Sequence, residues 1–367
     1  MSVVRSLAPS SALLLCALLA PACGQPDTDL AADAASQAID AAIHDDAAPG
    51  DAAQTPVDAP DAPDDAPVAD APVVTDAAPG AVDWTQIAAS CGTLRDVAWV
   101  SDSEVFLACS TSGFVHVTPD GASAWMPPSG YVHKVAIGDG EVRALSCNTI
   151  YRYDSGTWVS EDAVGTLSSC SMGFAGGDGG WFVGTRSFGG NGGFWMKSGA
   201  SWVVGADTVR GFEDFIALGP TEFLANTIGV STGLNHMRKS GSYWTTVSDF
   251  PFAVRSLWRA PTGTVYFANT PGNGPGGGTG GIYHWTAGST DTYTFEWDTP
   301  DFARINAIWG RSATEIYAAG DDGTLVTSSG DGTWTAMLSG TTADLAFLWS
   351  WQGHLVVASS TTIHVVN

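Results

Sequence analysis

Between Arg304 and Met337 the chain sets four short apolar, β-branched and aromatic runs between turns of Gly, Asp and Ser. The runs are Ile305-Asn306-Ala307-Ile308-Trp309-Gly310, Glu315-Ile316-Tyr317-Ala318-Ala319-Gly320, Gly323-Thr324-Leu325-Val326-Thr327 and Gly332-Thr333-Trp334-Thr335. Runs of this composition and length, punctuated this way, are strands joined by hairpins. The four-part unit recurs through the C-terminal three quarters of the chain, which limits the fold to a repeat architecture of small antiparallel sheets.

Seven tryptophans precede or sit in the fourth run of each unit: Trp84, Trp125, Trp158, Trp202, Trp244, Trp297 and Trp334. Their spacing of about 42 residues is one four-stranded propeller blade. First strands are expected near Leu94, Val132, Ser169, Arg210, Val254, Ile305 and Leu345, several with a large apolar residue at matching places: Trp99, Ile137, Trp258, Trp309 and Trp349. The last unit has three strands before the chain ends. An orphan run, Val82-Asp83-Trp84-Thr85-Gln86-Ile87, resembles the fourth run of unit six. The expected fold is therefore an all-β, seven-bladed propeller over 83–367, its last blade completed and its ring latched by this N-terminal strand. Weaker signals in blades three and four leave six or eight blades open.

Upstream of the repeats, Arg5 precedes an apolar run from Ala12 to Leu19 and then Ala20-Pro21-Ala22-Cys23. A positive start, a short apolar core and small residues at a cleavage point make 1–22 an expected signal peptide. The cysteine after Ala22 looks like a bacterial lipoprotein signal, which makes Cys23 the expected lipidation site. With Gly24 following, the resemblance places the anchor in the outer membrane; simple secretion is the alternative. Residues 23–82 form an expected disordered tether. From Gly24 to Val82 the sequence is mostly Ala, Asp and Pro, with thirteen Asp, no Lys or Arg, and no Phe, Trp or Tyr. It has little with which to build a core, and its like charges repel. The net charge of −24 argues against nucleic acid, and against any membrane contact other than a lipid anchor.

The turns Asp331-Gly332-Thr333-Trp334 and Asp154-Ser155-Gly156-Thr157-Trp158 are similar to shortened Asp-box hairpins. Such hairpins occur in sialidase-like propellers and in propeller assembly factors of photosynthetic membranes. The Ile-Trp-Gly, Tyr-Ala-Ala-Gly, Gly-Thr-Leu series of unit six resembles the repeats of bacterial β-propeller lipoproteins of the cell envelope. The resemblance implies a fold and a location; Asp-boxes shape turns and carry no activity.

Cys91, Cys109, Cys147 and Cys170 are disulfide candidates. Of three pairings, Cys91–Cys109 is geometrically reasonable, because it joins the start of one strand to the end of its antiparallel neighbour. No Cys-x-x-Cys spacing supports a thiolate metal site. His116, His236, His284 and His364 fall on third strands of different blades and read as repeat positions rather than as ligands, so no metal or cofactor is expected. Arg95, His133, Lys134, Arg210, Arg255 and Arg304 lie near first-strand starts, where they would ring one channel mouth and suit an anionic ligand. The competing reading pairs them with acids such as Asp96 and Asp214. The connections between second and third strands lengthen in blades three to five. They offer Phe188, Asn191, Asn226, Asn235, Asn269 and Asn273 for stacking and amide hydrogen bonds to a sugar or a protein surface. No catalytic motif assigns a reaction. The expected function is a monomeric binding or scaffold module with a protein or glycan partner at the envelope. The alternatives are an extracellular hydrolase with its site in the channel and an assembly factor for an envelope complex.

Overall fold

A computed structural model describes residues 82–366, apart from 148, 164–170, 178, 186–191, 209–210, 229–232, 242, 251–253, 270–279, 287–292 and 300–302. The segments expected as signal peptide and tether, apart from Val82, and the expected lipidation site Cys23 lie outside these residues. The described chain forms seven antiparallel sheets. Blade one is β1 (Leu94–Ser101), β2 (Glu104–Cys109), β3 (Gly113–Thr118) and β4 (Gly121–Trp125); blade two is β5 (Lys134–Gly138), β6 (Glu141–Ser146), β7 (Thr149–Asp154) and β8 (Thr157–Ala163). Blade three is β9 (Ser171–Gly177), β10 (Gly180–Thr185), β11 (Gly192–Ser198) and β12 (Ser201–Thr208); blade four is β13 (Gly211–Gly219), β14 (Glu222–Ile228), β15 (Gly233–Ser240) and β16 (Tyr243–Phe250). Blade five is β17 (Val254–Arg259), β18 (Thr264–Asn269), β19 (Gly281–Thr286) and β20 (Thr294–Asp298). Blade six is β21 (Ile305–Ser312), β22 (Glu315–Gly320), β23 (Leu325–Ser328) and β24 (Thr335–Ala336); blade seven is β25 (Phe347–Trp351), β26 (His354–Ala358) and β27 (Ile363–Val366). Each first strand begins within two residues of its expected position.

The first strands touch in a closed cycle, β1 to β5, β9, β13, β17, β21, β25 and back to β1. Second strands are buried almost throughout, as in β2, β6 and β18, where only the first residue is partly exposed, because neighbouring blades cover both of their faces. Fourth strands form the wet rim; β4 is largely exposed. A polar residue of one first strand spaces it from the next. The Asp96 carboxylate accepts from the Val135 amide at 2.9 Å, and the Ser256 hydroxyl accepts from the Ile308 amide at 2.9 Å.

The N-terminal segment departs from expectation. Trp84–Cys91 is a helix, α1, and blade seven keeps three strands. A strand through Val82, Trp84 and Gln86 would have buried a carboxamide and exposed Ile87. A helix instead points Trp84, Ile87 and Cys91 to one side, and all three are buried. Asp83 caps it, its carboxylate accepting from the Gln86 amide at 3.0 Å, and Gly92 ends it at φ 71°.

The helix fills the seam between blades seven and one. Trp84 meets Trp349 and Trp351 edge-on, with ring centroids 5.5 and 5.3 Å apart. The Cys91–Cys109 disulfide, spanning Cα atoms 4.7 Å apart, fixes its end to blade one. Backbone hydrogen bonds from Leu94 to Ser360 and from Gln352 to Asp102, both 2.7 Å, close the ring directly.

Deeper between blades two and three, Arg143 is only 3% exposed. It pairs with Glu161 at 3.1 Å and Glu141 at 2.6 Å and lies 4.3 Å from the Trp181 ring centroid. Burial pushes the Glu161 carboxyl up, but hydrogen bonds from Arg143 and Lys197 outweigh it and hold the group below its ordinary 4.5.

These contacts set expectations for the unfolding of the full chain. Trp84→Ala should cost about 3–5 kcal/mol and disulfide reduction about 2–4 kcal/mol. Unchanged melting in both would mean the seam closes without the helix. Arg143→Ala should cost roughly 1–3 kcal/mol by removing charge-assisted hydrogen bonds to Glu161, which keeps Lys197 as a partner. Because folding lowers the Glu161 carboxyl, its contribution is complete above 4.5 and fades as pH falls through the folded value. The stability gap between wild type and Glu161→Gln should therefore shrink on acidification.

Candidate functional site

The first strands enclose a channel with two overlapping chambers of about 470 Å³ each. Asp96, Lys134 and Asp214, from blades one, two and four, border both chambers and form the waist between them. The Lys134 ammonium lies 3.9 Å from Asp96 and 3.5 Å from Asp214. Trp258 and Trp309 also border both chambers, and Trp99 walls the one nearer the strand ends. Toward the strand starts the other chamber meets Arg255, Ser256 and Asn306.

Burial pushes the Asp96 carboxyl above its ordinary 3.8; Lys134 and the Val135 amide pull it back, and the neighbouring Asp214 charge adds to the rise. The pairing acids weighed against a basic ring thus both meet Lys134. Of the other residues named for that ring, Arg255 borders the starting chamber and is exposed. Arg95 lies 5.3 Å from the Tyr131 ring centroid. Arg304 is half-buried. His133 approaches Cys147 at 3.9 Å. Arg210 lies outside the described residues.

The amide-bearing loop set resolves differently. Asn269 is 1% exposed and its carboxamide oxygen accepts from the Gly281 amide, closing the loop base from inside. Asn226 accepts from the Val254 amide at 3.3 Å, linking blades four and five. Asn235, fully buried, donates to Thr227 at 2.8 Å. Strand pairing also continues to Thr227 and Gly233, which shortens the connection in blade four. These three side chains satisfy backbone and hydroxyl groups that burial would otherwise leave unpaired. Phe188, Asn191, Asn273 and Cys170 lie outside the described residues.

The histidines sit as isolated repeat positions. His116 contacts Glu104 at 2.9 Å and the Tyr153 hydroxyl at 2.9 Å; His236 contacts Glu222 at 2.6 Å; His284 contacts Glu296 at 2.6 Å. Among the described residues no group of three or more His, Cys, Asp or Glu side chains could hold a metal ion. At the Asp331 turn, one carboxylate oxygen accepts from both the amide and the hydroxyl of Thr333, at 2.9 and 2.6 Å, and the Trp334 indole donates to Glu296 at 2.9 Å across the blade boundary.

The tryptophan wall is what motif reading missed as a site. Its members were visible as repeated large apolar residues, but Trp349 at the same strand level is wholly buried while the other three are half-buried in the channel.

No protein-family model and no curated protein sequence matches the chain. Among solved structures, the fold is similar to YCF48 bound to a D1 peptide, at 13% identity and TM-score 0.56 over 74% of this chain and 91% of that one. It is similar to streptogramin B lyase, at 13% identity and TM-score 0.54, over 75% of this chain and 94% of that one. It also resembles PorZ of Porphyromonas gingivalis, a bacterial surface component of the type-IX secretion system. That match has 11% identity and TM-score 0.55 over 73% of this chain, and spans under half, 46%, of the PorZ chain. At identities this low the likeness shows the propeller fold alone.

The waist makes a titration prediction. Lys134→Met should raise the Asp96 midpoint further, and Asp214→Asn should lower it, read by carboxyl carbon-13 NMR. Because the folded carboxyl already titrates high, ionised Asp96 costs stability above its unfolded value, and the cost is relieved as pH falls. Lys134→Met should steepen that dependence. Midpoints unmoved in both variants would dissolve the coupling.

Proposed function

We propose that this propeller is a binding or scaffold module of the bacterial cell envelope, exported by residues 1–22, anchored through a lipid on Cys23 and held off the membrane by the acidic tether at 23–82. The observation that carries the binding role is the channel, whose waist of opposed charges and tryptophan-walled chamber exceed what ring closure needs. Ring closure is already supplied by the blade interfaces, so half-buried tryptophans facing open space are surface kept for contact. The neighbours fit a protein partner: YCF48 is known with a bound peptide and PorZ belongs to a surface secretion system. An assembly role at an envelope complex is one form of this reading.

The second reading is a hydrolase working in the channel. It is favoured by the Asp96 and Asp214 carboxylates, one of them raised by burial, which is how acid and base partners are often set apart.

The test uses the full chain in a bacterial host. Cys23→Ser should move it from the membrane to the soluble fraction, and labelled fatty acid should no longer be incorporated. Cross-linking in intact envelopes should recover one partner with wild type and lose it with Trp258→Ala. Recovery insensitive to that change removes the channel from the reading. Turnover of glycosides or esters abolished by Asp96→Asn would replace the binding module with the enzyme.

A further inference from the structure

We infer that the tryptophan-walled chamber is a carbohydrate site, taking an uncharged sugar ring whose face lies on Trp258 or Trp309 and whose hydroxyls meet Asp96, Asp214 and Lys134. The inference rests on the reading of the propeller as a binding module and adds the chemistry of its ligand.

The walls come first. Trp99 and Trp309 belong to blades one and six, yet their rings meet edge-on with centroids 5.2 Å apart, spanning the front of blade seven. Trp258 lies so close over the next first strand that a Cβ on Gly310 would stand 2.6 Å from its ring. The bare glycine therefore sets how flat this ring lies. Two half-buried indoles where the chambers overlap give apolar platforms of the size of a pyranose face.

The polar groups decide among ligands. The Asp96 carboxylate spends one oxygen on the Val135 amide, and its other is 3.9 Å from Lys134; Asp214 is 3.5 Å from the same ammonium. Both are pure acceptors with capacity left over. On the donor side, the Lys134 ammonium borders both chambers. A ligand serving both sets must donate and accept from neighbouring positions, which hydroxyl groups do and which a simple cation or anion does not.

Charge points the same way. The charged lining sets Asp96 and Asp214 against Lys134, their partner, and Arg259, which donates to the Ala217 carbonyl. The Arg311 guanidinium is taken up by Glu315 at 2.6 Å and by Ser350 at 2.6 and 3.1 Å. The chamber is close to neutral, in a chain of net charge −24, so no field remains to select an ion. Its 470 Å³ falls within the range of small-ligand sites and leaves room for a ring with a substituent.

The test is saturation-transfer NMR and calorimetry on the full chain with the methyl glycosides of glucose, galactose, mannose and N-acetylglucosamine, and with choline and citrate as charged controls. At least one glycoside should bind saturably, with choline and citrate silent. Trp258→Phe, Trp309→Phe and Asp214→Asn, each checked for wild-type melting, should weaken it, and Trp258→Ala should do so by roughly ten-fold or more. Gly310→Ala should weaken it as well, through displacement of Trp258. No saturable glycoside, binding indifferent to all these changes, or saturation by choline or citrate instead would overturn the carbohydrate assignment. Loss of a cross-linked partner in Trp258→Ala alongside silence to every glycoside would keep the binding module and discard the sugar.

Discussion

A ring of separate sheets holds only if its last member grips its first, and here that grip is the seam between blades seven and one. Blade seven brings three strands where the other blades bring four. In place of a shared sheet, α1 drives Trp84 and Ile87 into the gap, where they join Leu94, Val105 and Leu107 of blade one and Trp349, Val356 and Ile363 of blade seven in one apolar cluster. The disulfide then ties the helix end to β2, and two backbone hydrogen bonds cross the seam. At the far end, Ser350 bridges Arg311 of blade six and Asp102 of blade one by side-chain hydrogen bonds. Apolar burial supplies most of this attraction, while the hydrogen bonds, worth about 1 kcal/mol each, set its register.

Closure determines what the channel can be. Each blade contributes one strand to the inner wall, and polar residues such as Asp96 and Ser256 fix the spacing between successive strands. Asp96 performs both tasks, one oxygen on the Val135 amide and the other toward Lys134. That double use explains a carboxylate retained where burial penalises its charge. A rigid waist of opposed charges beside aromatic walls is preorganised, so a ligand entering it orders little of the protein.

Much of the fold was legible because blade strands repeat a local pattern, and each first strand falls within two residues of expectation. The N-terminal latch was not, because Asp83-Trp84-Thr85 looks like the turn and strand around Trp334. The discriminating signal was the spacing of Trp84, Ile87 and Cys91, with an acidic cap ahead and Gly92 behind. The disulfide was readable from antiparallel geometry. At the site, Asp96, Lys134 and Asp214 were identifiable as charges near strand starts. The half-buried Trp99, Trp258 and Trp309 were not separable from the buried Trp349, because Trp349 is covered by Trp84 of α1, a segment that reads as a strand in the sequence. Asn226, Asn235 and Asn269 read as loop chemistry, whereas burial turns them inward to satisfy the backbone.

The account stands on the seam, and amide hydrogen exchange reads it directly. With the disulfide intact, the Leu94 and Gln352 amides, which bond across the seam, should exchange as slowly as the inner-strand amides Val135 and Ile308. After reduction, Leu94 and Gln352 should speed up first. Fast exchange at those two amides in the oxidised protein, with Val135 and Ile308 still protected, would show a ring that opens between blades seven and one and would contradict the account.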